Sequence, residues 1–381
     1  MRIIVAPDSF KGSVSALGVA QAMERGIHAV FPEAEVLKVP IADGGEGTVE
    51  ALVAATGGRL EHTGVPGPLG GPVLAAWGVL GDGRTAVIEM AAASGLPLVP
   101  MAQRDPRITS TEGTGRLVQA ALDAGLRKLV IGIGGSATND GGTGLARALG
   151  VRFLDAEGAP LPPGGAALAR LERIDLSGLD PRLRETEIMV ACDVDNPLCG
   201  PRGASAVYGP QKGATPEMVR DLDLALGVYA RVAAAATGRD VAGLPGAGAA
   251  GGLGAGLLWF TPARLRPGVQ IVLEATGVEA MMAGADLVVT GEGRTDAQTA
   301  MGKAPVGVAA VAQRHGVPVV CLSGGLIAGA DDVLACGIDA LASIVPAPMG
   351  LEECVDRAAE LIEGSAARVC RLVRVGMGMH R

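Results

Sequence analysis

Five short stretches hold the residue types that phosphate or carboxylate chemistry needs. "IGIGGSATNDGGTG" (131–144) follows an apolar run and crowds glycines around Ser136, Thr138, Asn139 and Asp140. Four others set acidic, basic and glycine residues directly after an apolar run: "APDSFKGS" (6–13), "ADGGEGT" (42–48), "CDVDNP" (192–197) and "TGEGRTD" (290–296). Asp43, Asp193 or Asp195 could hold Mg²⁺, a hard ion that takes a few carboxylates alongside phosphate oxygens. One of them could instead accept a proton from an attacking hydroxyl. Lys11, Lys212, Arg294 and Lys303 could neutralise a transferring phosphoryl group or a carboxylate substrate. Glycine amides at 44–45, 134–135 and 251–252 could hold an anion through the main chain. Asp and Gly also make plain turns, which is the bland account of any single loop. Four loops of one design point to a shared site.

The 131–144 stretch has competing readings. "GIGGSA" satisfies G-x-G-x-x-A after a predicted strand, and Asp155 ends the next one, near where a ribose-binding acid belongs. That favours a dinucleotide. Gly141, Gly142 and Gly144 then fall where the helix should begin, each costing about 1 kcal/mol relative to alanine. A tight turn and a phosphate- or carboxylate-binding loop therefore stay open beside it. Other chemistries drop out: the chain has no G-x-x-x-x-G-K-[ST], no H-R-D or D-F-G and no G-x-S-x-G. Cys192 and Cys199 lack a neighbouring histidine, so no thiolate nucleophile is expected. His28, His62, His315 and His380 read as structural or solvated. "YGPQKGAT" (208–215) places Lys212 on what reads as an exposed loop, where a solvated lysine is the alternative to a functional one.

These loops need strands to end on and helices to brace them. Strands are predicted at 2–6, 34–40, 128–134, 151–155, 187–191, 285–290 and 317–325. Helices are predicted at 14–31, 46–58, 113–125, 216–236, 305–316 and 351–373, with 243–256 a glycine-rich loop. Strand–helix alternation implies a parallel sheet covered by helices. Residues 73–90 differ: two alternating runs flank Gly81-Asp82-Gly83, a hairpin signal and the candidate domain crossing. The expected fold is α/β with two domains. Residues 1–70 and 285–381 form a Rossmann-like domain from both chain ends, and 71–284 form an inserted mixed α/β domain. Ligands of open parallel sheets sit beyond the carboxyl ends of the strands, where these loops fall.

Composition narrows the partners. The 381 residues are 49% hydrophobic and 19% charged, enough for a large core. Aromatic residues at 2% leave little to stack bases on, and a net charge of −8 disfavours nucleic acid. Six cysteines without CxxC spacing, and four histidines, argue against structural zinc. No apolar stretch approaches the ~20 residues of a membrane span. Reduced thiols and no export signal lead us to expect a cytoplasmic protein, with a homo-oligomer open.

Together "IIVAPDSFKGSVSA", "VPIADGGEGTVEAL", "GIGGSATNDGG", "ACDVDNPLCGPRGASAVYGPQKGA", "GAGAAGGLGAG" and "DLVVTGEGRTDAQTAMGKAPVGVA" resemble the bacterial type I glycerate kinase family. The likeness runs from the first strand to the terminal helix. It implies ATP- and Mg²⁺-dependent phosphorylation of D-glycerate, at the 2-hydroxyl ahead of the 3-hydroxyl, in a cleft between two α/β domains. Chemistry then suggests roles. Asp8, Ser9, Lys11, Asp43, Gly44 and Gly45 would line one side, and Gly134, Gly135, Ser136, Asn139, Asp140, Asp193, Asp195 and Asn196 the other. Asp195 is the expected base or, with Asp193, metal ligand. Lys11 and Arg294 are the expected clamp, supported by Glu292 and Asp296, and Lys212 and Lys303 complete the binding set. The rivals are an NAD-dependent 2-hydroxyacid dehydrogenase and a non-catalytic hydroxy-acid sensor.

Overall fold

Ile3, Ile4 and Val5 expose none of their surface, as a strand covered on both faces requires. A computed structural model describes residues 1–42 and 44–379. In chain order its strands are β1 (Arg2–Val5), β2 (Glu35–Lys38), β3 (Arg59–Pro66), β4 (Pro72–Val79), β5 (Thr85–Glu89), β6 (Lys128–Gly132), β7 (Arg152–Leu154), β8 (Arg173–Asp175), β9 (Glu187–Ala191), β10 (Arg264–Arg266), β11 (Leu287–Thr295), β12 (Val319–Leu326) and β13 (Ala340–Ser343). The chain divides into two compact units, one of Met1–Asp43, Glu50–Gly57 and Val269–Arg381, the other of Gly44–Val49 and Gly58–Gly268.

The first unit is built on a five-stranded parallel sheet in the order β13-β12-β11-β1-β2. Both chain ends thus contribute to one sheet. Ile3 and Val5 pack with Val289 and Leu322 against the helices Ala16–His28 and Ala358–Met379. Helix Ala304–Arg314 buries Val308, Ala309, Val311 and Ala312.

The second unit carries a six-stranded mixed sheet in the order β10-β9-β6-β5-β4-β3, parallel from β10 to β5 and antiparallel through β4 and β3. The expected hairpin is β4–β5. The Asp82 carboxylate closes it by accepting from the amides of Arg84 (2.8 Å) and Thr85 (2.9 Å) and from the Thr85 hydroxyl (2.6 Å).

Four expectations are corrected. The strand expected at 151–155 is present as β7, but it pairs with β8 in a separate two-stranded sheet instead of joining the larger sheet. The glycine-rich loop, expected to run to 256, gives way earlier: after a left-handed stretch at Ala250, Gly251 and Gly252, residues 253–260 are helical. Gly291–Thr295 is not a loop: β11 runs on through it, because Glu292, Arg294 and Thr295 find partners along β12. The terminal helix is two, Leu351–Asp356 and Ala358–Met379.

Candidate functional site

In the first unit, β1 and β11 are adjacent. The chain leaves β1 for β2 on one side and returns to β11 on the other. That reversal is the switch point of an open parallel sheet, where a crevice opens beyond the carboxyl ends. Two of the predicted loops meet there. The Asp8 amide donates to Gly291 O (2.8 Å), extending the ladder past the end of β1. A Cβ on Gly293 would stand 3.3 Å from the Phe10 Cα and 3.6 Å from the Lys11 nitrogen, so the absent side chain lets the segments touch. Asp8 is buried, Ser9 is half-buried and donates its amide to Asp8 Oδ1 (2.6 Å), and Lys11 is exposed.

Beyond β11 the charges are organised around Asp296. Arg294 Nη2 lies 3.2 Å and Lys303 Nζ 3.5 Å from its two carboxylate oxygens, and the Gln298 amide donates to it (2.9 Å). Burial works to raise the Asp296 carboxyl, but Lys303, Gln298 and Arg294 outweigh it and hold the group below the usual carboxylate range. Glu292 is buried behind this cluster and accepts from the hydroxyls of Thr295 (3.0 Å) and Thr299 (2.6 Å). Burial pushes its carboxyl up, against those bonds and Lys303. One exposed arginine, one half-buried lysine and two carboxylates thus form a rigid polar edge.

In the second unit the corresponding edge lies at the ends of β6 and β9. The segment at Gly44-Gly45 crosses it: a Cβ on Gly132 would come to 2.5 Å from Gly44 O, and one on Gly134 to 3.1 Å from the Gly45 Cα. Gly134 and Gly135 are the exposed part of the 131–144 stretch, whereas Ser136, Asn139 and Asp140 are buried. Asp140 accepts from the Thr111 amide (2.9 Å) and hydroxyl (2.8 Å) and from the amides of Gly142 and Gly144 (both 3.1 Å). Asn139 Nδ2 donates to the Ser205 hydroxyl (2.9 Å). Lys212 is 1% exposed and donates to Thr138 O (2.6 Å), which overturns the exposed-loop expectation.

The acidic loop after β9 holds Asp193, whose carboxylate accepts from the Gly268 amide (2.9 Å). Asp195 is exposed and takes both its oxygens to Arg202 Nη2 (3.0 and 2.9 Å). Asn196 donates to Arg202 O (2.8 Å) and accepts from the Tyr208 hydroxyl (2.7 Å). Arg202 and Tyr208 were missed from the sequence; both lie in the same stretch, and Arg202 follows Asp195 by seven residues. Burial raises the Cys192 thiol above its ordinary value. Among the described residues no three or more His, Cys, Asp or Glu are grouped as metal ligands. Asp43 and His380 lie outside the described residues. No described helix is long and apolar enough to cross a membrane.

The dinucleotide fingerprint fails on geometry. The helix after it starts only at Thr143, and the Asp155 carboxylate caps its own turn through the Ala159 amide (2.8 Å) on a strand outside the six-stranded sheet.

Residues 3–374 match the glycerate kinase family model. A glycerate kinase of Bacillus subtilis (strain 168) is 55% identical over 379 residues, covering 100% of this chain and 99% of that one. The glycerate 2-kinase of Escherichia coli (strain K12) is 49% identical over 377 residues, 99% of each. A crystal structure described as glycerate kinase 2 from Salmonella typhimurium LT2 superposes with a TM-score of 0.89 at 52% identity, 99% of each chain.

Proposed function

Because the chain belongs to the glycerate kinase family, a family of phosphotransferases that use a nucleotide and a small-molecule acceptor, we propose that it transfers the terminal phosphoryl group of ATP to the 2-hydroxyl of D-glycerate. The observation that carries this is the main-chain approach of Phe10–Lys11 to Gly293, next to the Arg294–Asp296–Lys303 cluster at the switch point, beside family membership over the whole chain. The relative named glycerate 2-kinase supports 2-phosphoglycerate over 3-phosphoglycerate as product. A cytoplasmic reaction fits six free cysteines.

Phosphoryl transfer asks for positioning and charge neutralisation more than for a covalent intermediate. Arg294 and Lys303 are held by Asp296, so their charges need little reorganisation when the phosphoryl group moves; Lys11, exposed and with its main chain beside Gly293, would complete the clamp on phosphoryl or glycerate carboxylate. Asp8 and Ser9 would orient the acceptor, and Glu292 fixes the turn that carries Lys303. In the second unit the amides of Gly134 and Gly135, with Gly44, Gly45 and Ser136, would hold an anion, and Asn139, Asp140 and Asn196 keep those loops in shape. Asp195 would take the hydroxyl proton or, with Asp193, hold Mg²⁺; an ion bound chiefly through phosphate oxygens needs only one or two carboxylates, which this loop offers. When bound, Mg²⁺ supplies neutralisation of the phosphate charge.

Phosphorus NMR of D-glycerate with Mg²⁺-ATP tests the reading. A phosphate on the secondary C2 oxygen couples to one proton and gives a doublet, whereas one on C3 gives a triplet. Lys11→Ala, Arg294→Ala and Asp195→Asn should each lower turnover by roughly 10²–10⁴ with unchanged unfolding temperature, since all three side chains are exposed. No phosphorylated product from wild-type protein would retire the proposal, and near-normal turnover in one variant would retire that residue's role.

A further inference from the structure

The 131–144 stretch is fastened peptide by peptide, and each fastening comes from a different part of the second unit. Gly135 O accepts from Leu96 N (2.9 Å), and Ala137 N donates to Ser94 O (3.0 Å). Ala137 O accepts from the Thr109 hydroxyl (3.0 Å). Gly141 N donates to Gly251 O (3.0 Å), and Gly141 O accepts from the Tyr229 hydroxyl (3.0 Å). Asp140 gathers its four donors around the turn. Thr138, midway between the exposed Gly134-Gly135 pair and Asp140, is fastened by Lys212 from the turn Pro210–Lys212.

A lysine is an unusual choice for this task. Its amine is seldom fully buried without a partner, and burying it is costly. Here the site asks for a hydrogen-bond donor. Thr138 Oγ1 and Asn139 Oδ1, both buried, find no hydrogen-bond partner among the described residues, and Thr138 O accepts from the amine. The Asp140 carboxylate is close enough to act on the same amine. Lys212 reaches this spot because Gly213 turns the chain immediately after it, at φ +94°, against Arg104.

We infer that Lys212 is a positioning residue that acts through the Thr138 carbonyl, holding the 134–142 loop so that the Gly134 and Gly135 amides and Ser136 keep the shape in which they meet an anionic group. With 1% of its surface exposed, it is not a phosphate clamp of the kind formed by Lys11 and Arg294. A neutral amine still carries N–H donors, weaker than those of an ammonium, so the fastening persists in weakened form when the charge is lost. The turnover part of this inference rests on the kinase reading; the loop-fastening part does not.

Lys212→Met keeps the side-chain length and removes the donor. Hydrogen exchange should be at least about tenfold faster at the amides of Ala137, Gly141, Gly142 and Gly144, with Leu129–Ile131 of β6 unchanged as control. With D-glycerate and Mg²⁺-ATP, kcat should fall at least about tenfold while the KM of each substrate moves less than about threefold. Lys212→Gln, which keeps an N–H donor, should recover part of both effects. Wild-type exchange at those four amides in Lys212→Met overturns the inference. So does a KM increase above about tenfold for one substrate with kcat preserved, because that marks a residue touching the ligand. Should the Met variant not fold, the Gln variant decides: faster exchange confined to the loop supports the inference, and wild-type exchange overturns it. If wild-type protein has no kinase activity, the proposed function fails on its own, and the exchange measurement still decides whether Lys212 fastens the loop.

Discussion

Lys212 has its amine pulled from the ordinary 10.5 down to about 7, because burial disfavours the charged form more than the Asp140 carboxylate favours it. The consequence for stability has a definite sign. The unfolded chain keeps its proton up to about 10.5, whereas the folded protein releases it near 7. Between those values the unfolded state binds more protons, so stability rises with pH. Below about 7 both states are charged and the burial penalty is fully present; above about 10.5 both are neutral and it is gone. The unfolding free energy of the wild type minus that of Lys212→Met should therefore climb from about pH 7 to about 10.5, as read from urea midpoints. A flat difference would show that the amine titrates normally. Lys212 also marks a limit of sequence reading. Its neighbours Pro210 and Gly213 resemble an exposed turn, and nothing local reveals that the Thr138 carbonyl, 74 residues earlier, lies over it. Lys11 and Arg294 stood out in the sequence for the opposite reason: each follows an apolar run within a few residues, although β11 itself extends through Arg294.

Elements differ in how far their own residues specify them. The β4–β5 hairpin was readable because Asp82 and Gly83 write the turn locally. Helix Ala249–Phe260 was not, since glycine density reads as loop. It forms because Gly252 and Gly256 pack onto Gly141 and Gly142, where any Cβ would crowd. Its first turn is left-handed, with φ of 53°, 68° and 87° at Ala250, Gly251 and Gly252. At Gly251 a Cβ would collide with Thr138 O and approach the Asn139 Cα to 2.7 Å. Gly251→Ala should thus cost about 2 kcal/mol or more, from left-handed backbone and overlap together. Gly227 makes the opposite case: it is exposed within helix Pro216–Thr237, with nothing within 4 Å of the place a methyl group would take. Gly227→Ala should stabilise by about 0.5–1 kcal/mol. Urea midpoints moving in the same direction for both would contradict this account of the two glycines.

At the scale of the whole chain, the first unit closes only when its two ends meet. β1, made from residues 2–5, lies between β2 and β11, with Ile4 paired to Leu37 on one side and Val288 on the other. That second pairing joins residues 284 apart in sequence, so loop closure must precede most of the sheet's gain and the unit is expected to form slowly. The strand itself could be read from three β-branched residues in a row, whereas its central place depends on β11 and could be inferred only from the α/β pattern at both ends. Because Ile4 is wholly buried, Ile4→Asp would place an unpaired carboxylate between two parallel neighbours, a cost of several kcal/mol. Hydrogen exchange followed by mass spectrometry should then show lost protection at 287–291 and 319–323 as well as at 35–38, since those strands depend on β1 for their order in the sheet. Retained protection at 287–291 would mean that β11 and β12 are stable without the amino-terminal strand, and that the two chain ends are joined by proximity alone.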